Sequence, residues 1–147
     1  MSRAIKIDPV ARTVEEIDIP ATHDAVRPIV GQQYFDYARL GSNVVALVDD
    51  MGLRRVGQHY WHFKQSKVMM AGIAVMFSFG DEDLESLDPR VGLEQTRGYI
   101  EWLGTAKEAE QAILKGIVDR PLITINDEVI WAWCPDETKN REQETEK

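Results

Sequence analysis

Two short apolar segments separated by an Asp-Pro pair open this chain, and they constrain its fold more than any other feature of the sequence. Ile5 and Ile7 alternate with polar residues, and Pro9 fixes φ and lacks a backbone donor, so the chain is expected to turn after Asp8. Residues 13–19 then mix apolar and acidic side chains in an imperfect alternation, which is typical of a strand with one packed and one solvated face. The sequence therefore predicts an opening antiparallel hairpin.

Two further pairs of β-prone segments flank turn-forming residues. Residues 34–40 and 44–49 flank a Gly-Ser-Asn sequence, and residues 122–125 and 128–133 flank an Asn-Asp pair. Such residues favour the tight turns that join antiparallel strands. The pattern therefore predicts a second hairpin and a final one.

Two other segments are predicted to be strands because they are rich in β-branched and aromatic residues. Residues 59–63 predict a short aromatic strand, and the apolar run 68–79 predicts one long buried strand that ends at Gly80. This run is well short of the roughly 20 residues that a membrane-spanning helix needs. Residues 81–88, which contain five carboxylates and no basic side chain, are predicted to form an exposed loop.

Capping residues predict two helices. Thr22 is suited to cap a short helix within residues 22–31. Thr105 opens a capping-box pattern, and apolar side chains then recur on one face as far as Ile117. The principal helix is therefore predicted over residues 105–119.

Together these elements predict one α+β domain over residues 1–134, with a mainly antiparallel, curved sheet and the principal helix packed on it. A length of 147 residues suits one hydrophobic core and leaves little material for a second. Residues 135–147 lack apolar side chains and are predicted to form a disordered polar tail.

Charge and cysteine content limit the classes of function. The net charge of −8 disfavours direct binding of nucleic acid, which depends on Lys and Arg displacing counterions, and it favours a protein partner with a basic surface. A single cysteine, Cys134, excludes an intramolecular disulfide. Because neither a signal peptide nor a membrane segment is predicted, the expected location is the cytoplasm and no membrane partner is expected.

Four segments also carry a resemblance. Residues 5–9 end in Asp-Pro, residues 13–17 read Thr-Val-Glu-Glu-Ile, residues 35–40 read Phe-Asp-Tyr-Ala-Arg-Leu, and residues 48–53 contain Asp-Asp-Met-Gly-Leu. In these segments the chain resembles a family of small bacteriophage and bacterial proteins known only as a domain of unknown function. The resemblance implies a mobile-element setting, in which many small acidic proteins bind and inhibit host machinery.

The resemblance covers residues 2–103 and leaves residues 104–134 as an addition to the family-like part. It implies no role for any single residue. The favoured hypothesis is a non-enzymatic interaction protein of a phage or mobile element that binds and inhibits a host protein, such as a defence nuclease, through an acidic surface. The residues predicted to form that surface are Asp81, Glu82, Asp83, Glu85 and Asp88.

A small-molecule sponge that sequesters a nucleotide signal is the second hypothesis. Aromatic rings beside cations can stack a base and bind a phosphate, and this combination occurs at Tyr60 and Trp61 with Arg54 and Arg55. The alternative is that these aromatic residues belong to the core.

Trp131 and Trp133 lie on the last predicted strand. Buried, they would belong to the core, and exposed at an edge they would contact a partner or a second copy of the chain. The sequence favours the core for at least one of them and leaves homodimerisation open.

A metal-dependent phosphoesterase is the third hypothesis, with Asp49, Asp50 or Asp81 as metal ligands. The sequence contains no recognisable nucleophile-and-base arrangement and no glycine-rich phosphate loop, so no catalytic residue and no cofactor is predicted. On a strand, His59 and His62 would point to opposite faces, which disfavours a metal site there.

Overall fold

The computed structural model describes residues 1–31, 34–41, 43–81, 83–125 and 128–133. The chain divides into two units, of which the first contains Met1–Asp50 and Gly72–Tyr99 and the second contains Met51–Ala71 and Ile100–Lys147. Both units combine antiparallel strands with helices, which confirms the predicted α+β class. The domain limits at residues 1 and 134 stay a prediction, and the predicted tail lies outside the described residues.

The elements follow one another along the chain in an order that alternates hairpins with short helices. They are β1 (Ser2–Asp8), β2 (Thr13–Ile19), α1 (His23–Val30), β3 (Phe35–Arg39), β4 (Val44–Asp49), a short 3-10 turn (Gly52–Arg54), β5 (Tyr60–Phe63), β6 (Met70–Ala71), β7 (Ala74–Gly80), β8 (Asp83–Glu85), α2 (Leu93–Tyr99), β9 (Ile100–Gly104), α3 (Ala106–Leu114), β10 (Leu122–Ile125) and β11 (Glu128–Ala132). Among the described residues, no helix is long and apolar enough to cross a membrane.

The first unit is built on a six-stranded antiparallel sheet in the order β2-β1-β7-β4-β3, with β8 paired to β7. On one side of β7, β1 pairs with the stretch from Ala74 to Met76 and β8 pairs with the stretch from Ser78 to Gly80. On the other side, β4 pairs with β7 from Val75 to Ser78. β8 therefore pairs with the same side of β7 as β1, beyond the point where the pairing of β1 with β7 ends.

One face of this sheet packs against α1. Val26 of α1 is fully buried, and it clusters with Val45, Leu47, Val75 and Phe77 of the sheet. The helix begins where the Thr22 hydroxyl accepts a hydrogen bond from Ala25 N, and it ends at Gly31, whose φ of 81° suits glycine. These local signals confirm the predicted short helix and fix it over the sheet.

The second unit contains a three-stranded sheet in the order β6-β5-β9, the hairpin of β10 and β11, and α3. Their buried side chains form one cluster, in which Tyr60, Ala109, Val118 and Trp133 are among the most buried. The rings of Tyr60 and Trp133 pack edge to face with centroids 5.4 Å apart. The α3 helix therefore packs on a sheet, as predicted, although the described strands belong to three sheets rather than one.

All three predicted hairpins are confirmed. β1 and β2 pair from Ser2 with Ile19 to Asp8 with Thr13. β3 pairs with β4, and β10 pairs with β11, whereas the Asn-Asp turn of this last hairpin lies outside the described residues.

The prediction of one long strand over residues 68–79 is wrong. Gly72 adopts a φ of 78°, in the left-handed region that favours glycine, and it separates β6 from β7. β6 pairs with β5, whereas β7 pairs with β1 and β4. The two halves of the apolar run therefore belong to different sheets.

The prediction of a loop over residues 81–88 is wrong for its central part. Asp83–Glu85 forms β8, because Leu84 is buried in the cluster beneath α1 while its two acidic neighbours are exposed. This alternation of one buried residue between exposed ones is the period of a strand.

The principal helix is shorter than predicted and ends at Leu114. Gly116 adopts a φ of 76°, and its N–H donates to Ile113 O at 3.0 Å while the N–H of Ile117 donates to Ala112 O at 3.0 Å. This pair of bonds is a Schellman motif, which terminates a helix at a glycine. The predicted capping box of Thr105 is confirmed at the other end.

Candidate partner-binding site

The tight connection between β7 and β8 positions the predicted acidic residues. Ser78 pairs with Glu85 and Gly80 pairs with Asp83, so only residues 81 and 82 separate the strands. Asp81 has a φ of 48°, a left-handed conformation that Asp tolerates better than most residues. The hairpin therefore carries acidic side chains at its tip and along its second strand.

Strand alternation directs Ser78, Gly80 and Glu85 to one face of this hairpin and Phe79 to the other. The Glu85 carboxylate occupies the position that a side chain at residue 80 would take on that face. A Cβ atom at Gly80 would lie 2.9 Å from Cδ of Glu85 and would overlap its carboxylate. The absence of a side chain at Gly80 therefore lets the Glu85 carboxylate lie across β7.

An open groove of about 680 Å³ runs beside this face. Three of the predicted acidic residues line it, and the rest of the described lining is polar side chains, Phe79, Pro89 and the glycine Gly80. The acidic residues of the lining are Asp81, Glu85 and Asp88, and its basic residue is Arg90. The structure therefore brings together residues that the sequence placed in a single acidic loop.

One wall of the groove, called the far wall, is formed by residues 86 and 88–90. Arg3, near the start of β1, bonds to the segment that contains this wall. Its guanidinium donates to Asp88 O at 3.0 Å and to Val91 O at 2.6 Å, and it pairs with Glu16 at 2.5 Å. The backbone of Arg3 also accepts a hydrogen bond from Leu87 N at 2.8 Å. Arg3 therefore holds residues 86–91 against the sheet.

Asp88 differs from the other acidic residues of the groove because it already has a cationic partner. Its carboxylate accepts bonds from the Arg90 guanidinium and, at 2.8 Å, from the Arg90 backbone N–H. These hydrogen bonds, with the charges of Arg90 and Arg3, lower the pKa of Asp88 to about 2, and the pKa of Arg90 is raised in return. The charge that remains for a partner therefore belongs to Asp81 and Glu85.

The low pKa of Asp88 predicts a specific acid sensitivity. Its folded value lies below the unfolded value of about 3.9, so the stabilisation is complete above pH ~4 and is lost as the pH falls through about 2. We expect wild type to be more stable than Asp88→Asn by a constant margin above pH 4, and the margin to shrink below it. Urea unfolding between pH 2 and pH 7 measures this, and a margin independent of pH would contradict it.

Of the two remaining predicted acidic residues, only Asp83 can be placed relative to the groove. Asp83 is exposed but does not line it, and Glu82 lies outside the described residues. The sequence reasoning missed Gly80, Ser78 and Arg90, whose roles depend on the pairing of β7 with β8 and on the turn after it. The one local signal was the glycine that ends an apolar strand just before the acidic segment.

A group of aromatic side chains lies on the face of the sheet that carries α1. The rings of His23, Tyr37 and Phe79 form consecutive contacts, with centroids 5.8 and 5.7 Å apart, and Arg39 lies 5.8 Å from the Phe79 ring. Burial, and then the charge of Asp83, raise the pKa of Tyr37. The sequence did not predict this group because its members come from three separate elements.

The residues predicted to bind a nucleotide lie in a different environment. Tyr60 and Trp61 are 2% and 0% exposed, and their rings pack against Trp133 and Phe63. Buried rings offer no open face on which a base could stack, so the core alternative fits these two residues. Arg54 lies in the 3-10 turn and Arg55 directly follows it.

The residues considered for a metal site are also separated. Asp49 is buried at the end of β4 whereas Asp50 is exposed. The two ring nitrogens of the buried His62 lie 2.7 Å from Ser66 O and 2.6 Å from Oε1 of Glu101. In the described part of the chain, no group of three or more His, Cys, Asp or Glu could hold a metal ion.

Trp133, one of the two tryptophans considered for core packing or dimerisation, is fully buried. Its indole Nε1 has no hydrogen-bond partner among the described residues. The side chain of Trp131 lies outside the described part of the structure, so homodimerisation through it stays a prediction.

Comparisons with known proteins found no matching protein-family model, no matching curated protein and no matching solved structure. The resemblance stated from the sequence therefore stays a prediction.

Proposed function

We propose that this chain is a non-enzymatic interaction protein whose acidic groove at the β7–β8 hairpin binds a basic segment of a partner protein. The observation that carries the proposal is the space at Gly80, which lets the Glu85 carboxylate lie in the groove that Asp81 also lines. The overall charge of −8 would speed the encounter with a positively charged partner.

The chemistry of the groove favours arginine or lysine side chains over a metal ion. Its carboxylates do not converge as metal ligands do, and the groove is open to water. Arginine is the better match, because its planar guanidinium binds a carboxylate through two parallel hydrogen bonds. Arg90 already binds Asp88 in this way, with Nε and Nη2 both donating to the carboxylate.

The mobile-element setting that the sequence resemblance implies suggests the kind of partner. The partner would be a host protein with a basic surface, such as a defence nuclease, and occupation of that surface would inhibit it. Proteins that act on nucleic acid carry such surfaces because they must neutralise phosphates.

The double variant Asp81→Asn, Glu85→Gln tests the charge of the groove. We expect at least about tenfold weaker binding of the partner, because two carboxylates that attract its cationic side chains are lost. The matched control is Glu15→Gln, Asp18→Asn, which removes the same charge from exposed positions of β2. Partners captured from bacterial lysate with the wild type would be identified, purified and titrated against all three proteins. Equal affinity of the two double variants would refute a role for the groove.

Gly80→Ala tests the shape of the groove without changing its charge. The added Cβ would displace the Glu85 carboxylate, so we expect several-fold weaker binding of the same partner with little change in thermal stability. Gly41→Ala is the control, because a Cβ there would meet no atom within 4 Å. Titrations of both variants show whether binding needs the position of the Glu85 carboxylate or only its charge. Weaker binding by Gly80→Ala alone indicates that the position matters, and equal binding by both variants indicates that only the charge matters.

A further inference from the structure

A second groove, of about 310 Å³, lies in the second unit between β9 and α3. Three consecutive residues of β9, Glu101, Trp102 and Leu103, line it. The register of β9 against β5 shifts at Leu103, so the alternation of side chains is interrupted there, and Leu103 lines the groove together with its neighbours. β9 is the last strand in the order β6-β5-β9, and its outer edge has no paired strand among the described residues.

The lining of this groove has an apolar floor and a charged rim. Leu103 and Ala112 are buried, and Ile117 is 38% exposed. The rim carries the carboxylates of Glu101 and Glu108. One lysine, Lys115, also lines the groove, so two carboxylates face a single ammonium and a cationic group is favoured.

Both rim carboxylates are held in fixed orientations by bonds to the protein. Oε1 of Glu101 lies 2.6 Å from Nε2 of His62, and Oε1 of Glu108 accepts from the hydroxyl of Thr105 at 3.2 Å. Each carboxylate therefore keeps its second oxygen for a partner, in an orientation that binding does not have to create.

We propose that this groove binds an extended segment of a partner protein, which adds as a strand to β9. A large apolar side chain of the segment would enter the space between Leu103, Ala112 and Ile117. A lysine or arginine two positions away would lie on the same face and meet the carboxylate of Glu101 or Glu108. In strand addition, main-chain hydrogen bonds supply affinity, and the pocket for alternate side chains supplies specificity.

The alternative occupants fit the groove less well. Residues 135–147 contain no apolar side chain that could fill the floor. A second copy of the chain, paired through its own β9, would bring acidic rims together, and like charges at an interface oppose association. The inference does not depend on the groove of the β7–β8 hairpin, which belongs to the other unit.

The proposal is tested with an array of labelled hexapeptides in which a central Leu, Ile or Phe has a Lys or Arg two positions away. A matched series carries Glu at the basic position. Using the full chain, we expect micromolar binding of the basic series and at least tenfold weaker binding of the acidic series. N-methylation of alternate peptide nitrogens should abolish binding, and the bound peptide should shift the amide resonances of residues 101–103.

Two groove variants and two controls keep the test specific. Ile117→Asp places a charge on the apolar floor. Gln111→Arg, at an exposed position of α3 that lines the groove, repels a basic segment. Each variant should weaken binding at least tenfold. Leu114→Asp is the matched control for the first, because Leu114 is 67% exposed and does not line the groove. The variant Asp81→Asn, Glu85→Gln should bind the array like wild type.

Three results would overturn the proposal. The first is the absence of binding from both series at millimolar peptide, and the second is equal binding of the basic and acidic series. The third is a wild-type dimer that Ile117→Asp converts to a monomer, because a second copy would then occupy the groove.

Discussion

Replacement of Trp133 by alanine is expected to lower the free energy of unfolding by about 3–5 kcal/mol, which is the usual cost of removing a large buried aromatic side chain. Trp133 is fully buried and packs edge to face on Tyr60. Its backbone N–H donates to Pro121 O and its carbonyl accepts from the Arg120 guanidinium, each at 2.8 Å, and alanine keeps both of these backbone groups. The loss in the variant therefore reports the packing of the Trp133 side chain in the core of the second unit.

Two further tryptophan variants show which property of Trp133 matters. Trp133→Phe should cost only about 1–2 kcal/mol, because an aromatic ring still packs on Tyr60 and phenylalanine buries no indole N–H, a group that has no partner among the described residues. Trp102→Ala, at a half-buried position of β9, should cost less than half as much as Trp133→Ala. Urea unfolding followed by far-UV circular dichroism measures all three. A loss below about 1 kcal/mol for Trp133→Ala would show that packing of the Trp133 side chain does not stabilise the unit.

The parts of the fold that the sequence predicted correctly depend on residues close together in the chain. Pro9 forces the first turn, Thr22 caps α1, and Thr105 and Glu108 cap α3. In each case the deciding interaction spans no more than about four residues, so it is visible in a short window of sequence.

The errors arise where distant pairing overrides local composition. The run 68–79 looks like one strand because its residues suit any strand, and only the pairing of its two halves with different sheets reveals the break at Gly72. Residues 83–85 look like a solvated loop, and their pairing with β7 makes them a strand. Gly116 was a local signal for the end of α3, but the periodic apolar residues on both sides of it outweighed it.

The candidate site was predictable only in part, because some of its features depend on local composition and others on long-range contacts. The sequence identified the acidic segment by composition, but composition does not distinguish Asp88, which Arg90 neutralises, from Glu85, which lies over Gly80. Nor could it show that Arg3, more than 80 residues away along the chain, bonds to the segment that carries Asp88. The groove depends on these long-range contacts, which no short window of sequence contains.

Arg3→Met is expected to lower the free energy of unfolding by about 2–4 kcal/mol, because hydrogen bonds from a charged donor contribute about 1.5–3 kcal/mol each. The guanidinium donates to two carbonyls, Asp88 O and Val91 O, and methionine keeps most of the aliphatic stem without these donors. The ion pair with the half-exposed Glu16 adds little, since solvent screens surface pairs. Most of the lost stability therefore comes from the bonds that hold residues 86–91.

Two control variants test this assignment. Lys6→Met removes a charge from the same strand without removing a side-chain hydrogen bond to any described residue, so it should be nearly neutral. Arg3→Lys should lie between wild type and Arg3→Met, because an ammonium can reach one carbonyl but lacks the fork that reaches both. Urea unfolding ranks the three variants.

The stability lost in Arg3→Met should be largest in the segment that Arg3 contacts. In Arg3→Met, the amides of residues 86–88, 90 and 91 should exchange with solvent faster than in wild type while those of β4 are unchanged, and binding of the basic partner at the β7–β8 groove should weaken as these residues loosen. If hydrogen exchange of that segment equals that of Lys6→Met, strand pairing alone fixes the wall. The groove would then owe its shape to the pairing of β7 with β8, and Gly80 would be its decisive residue.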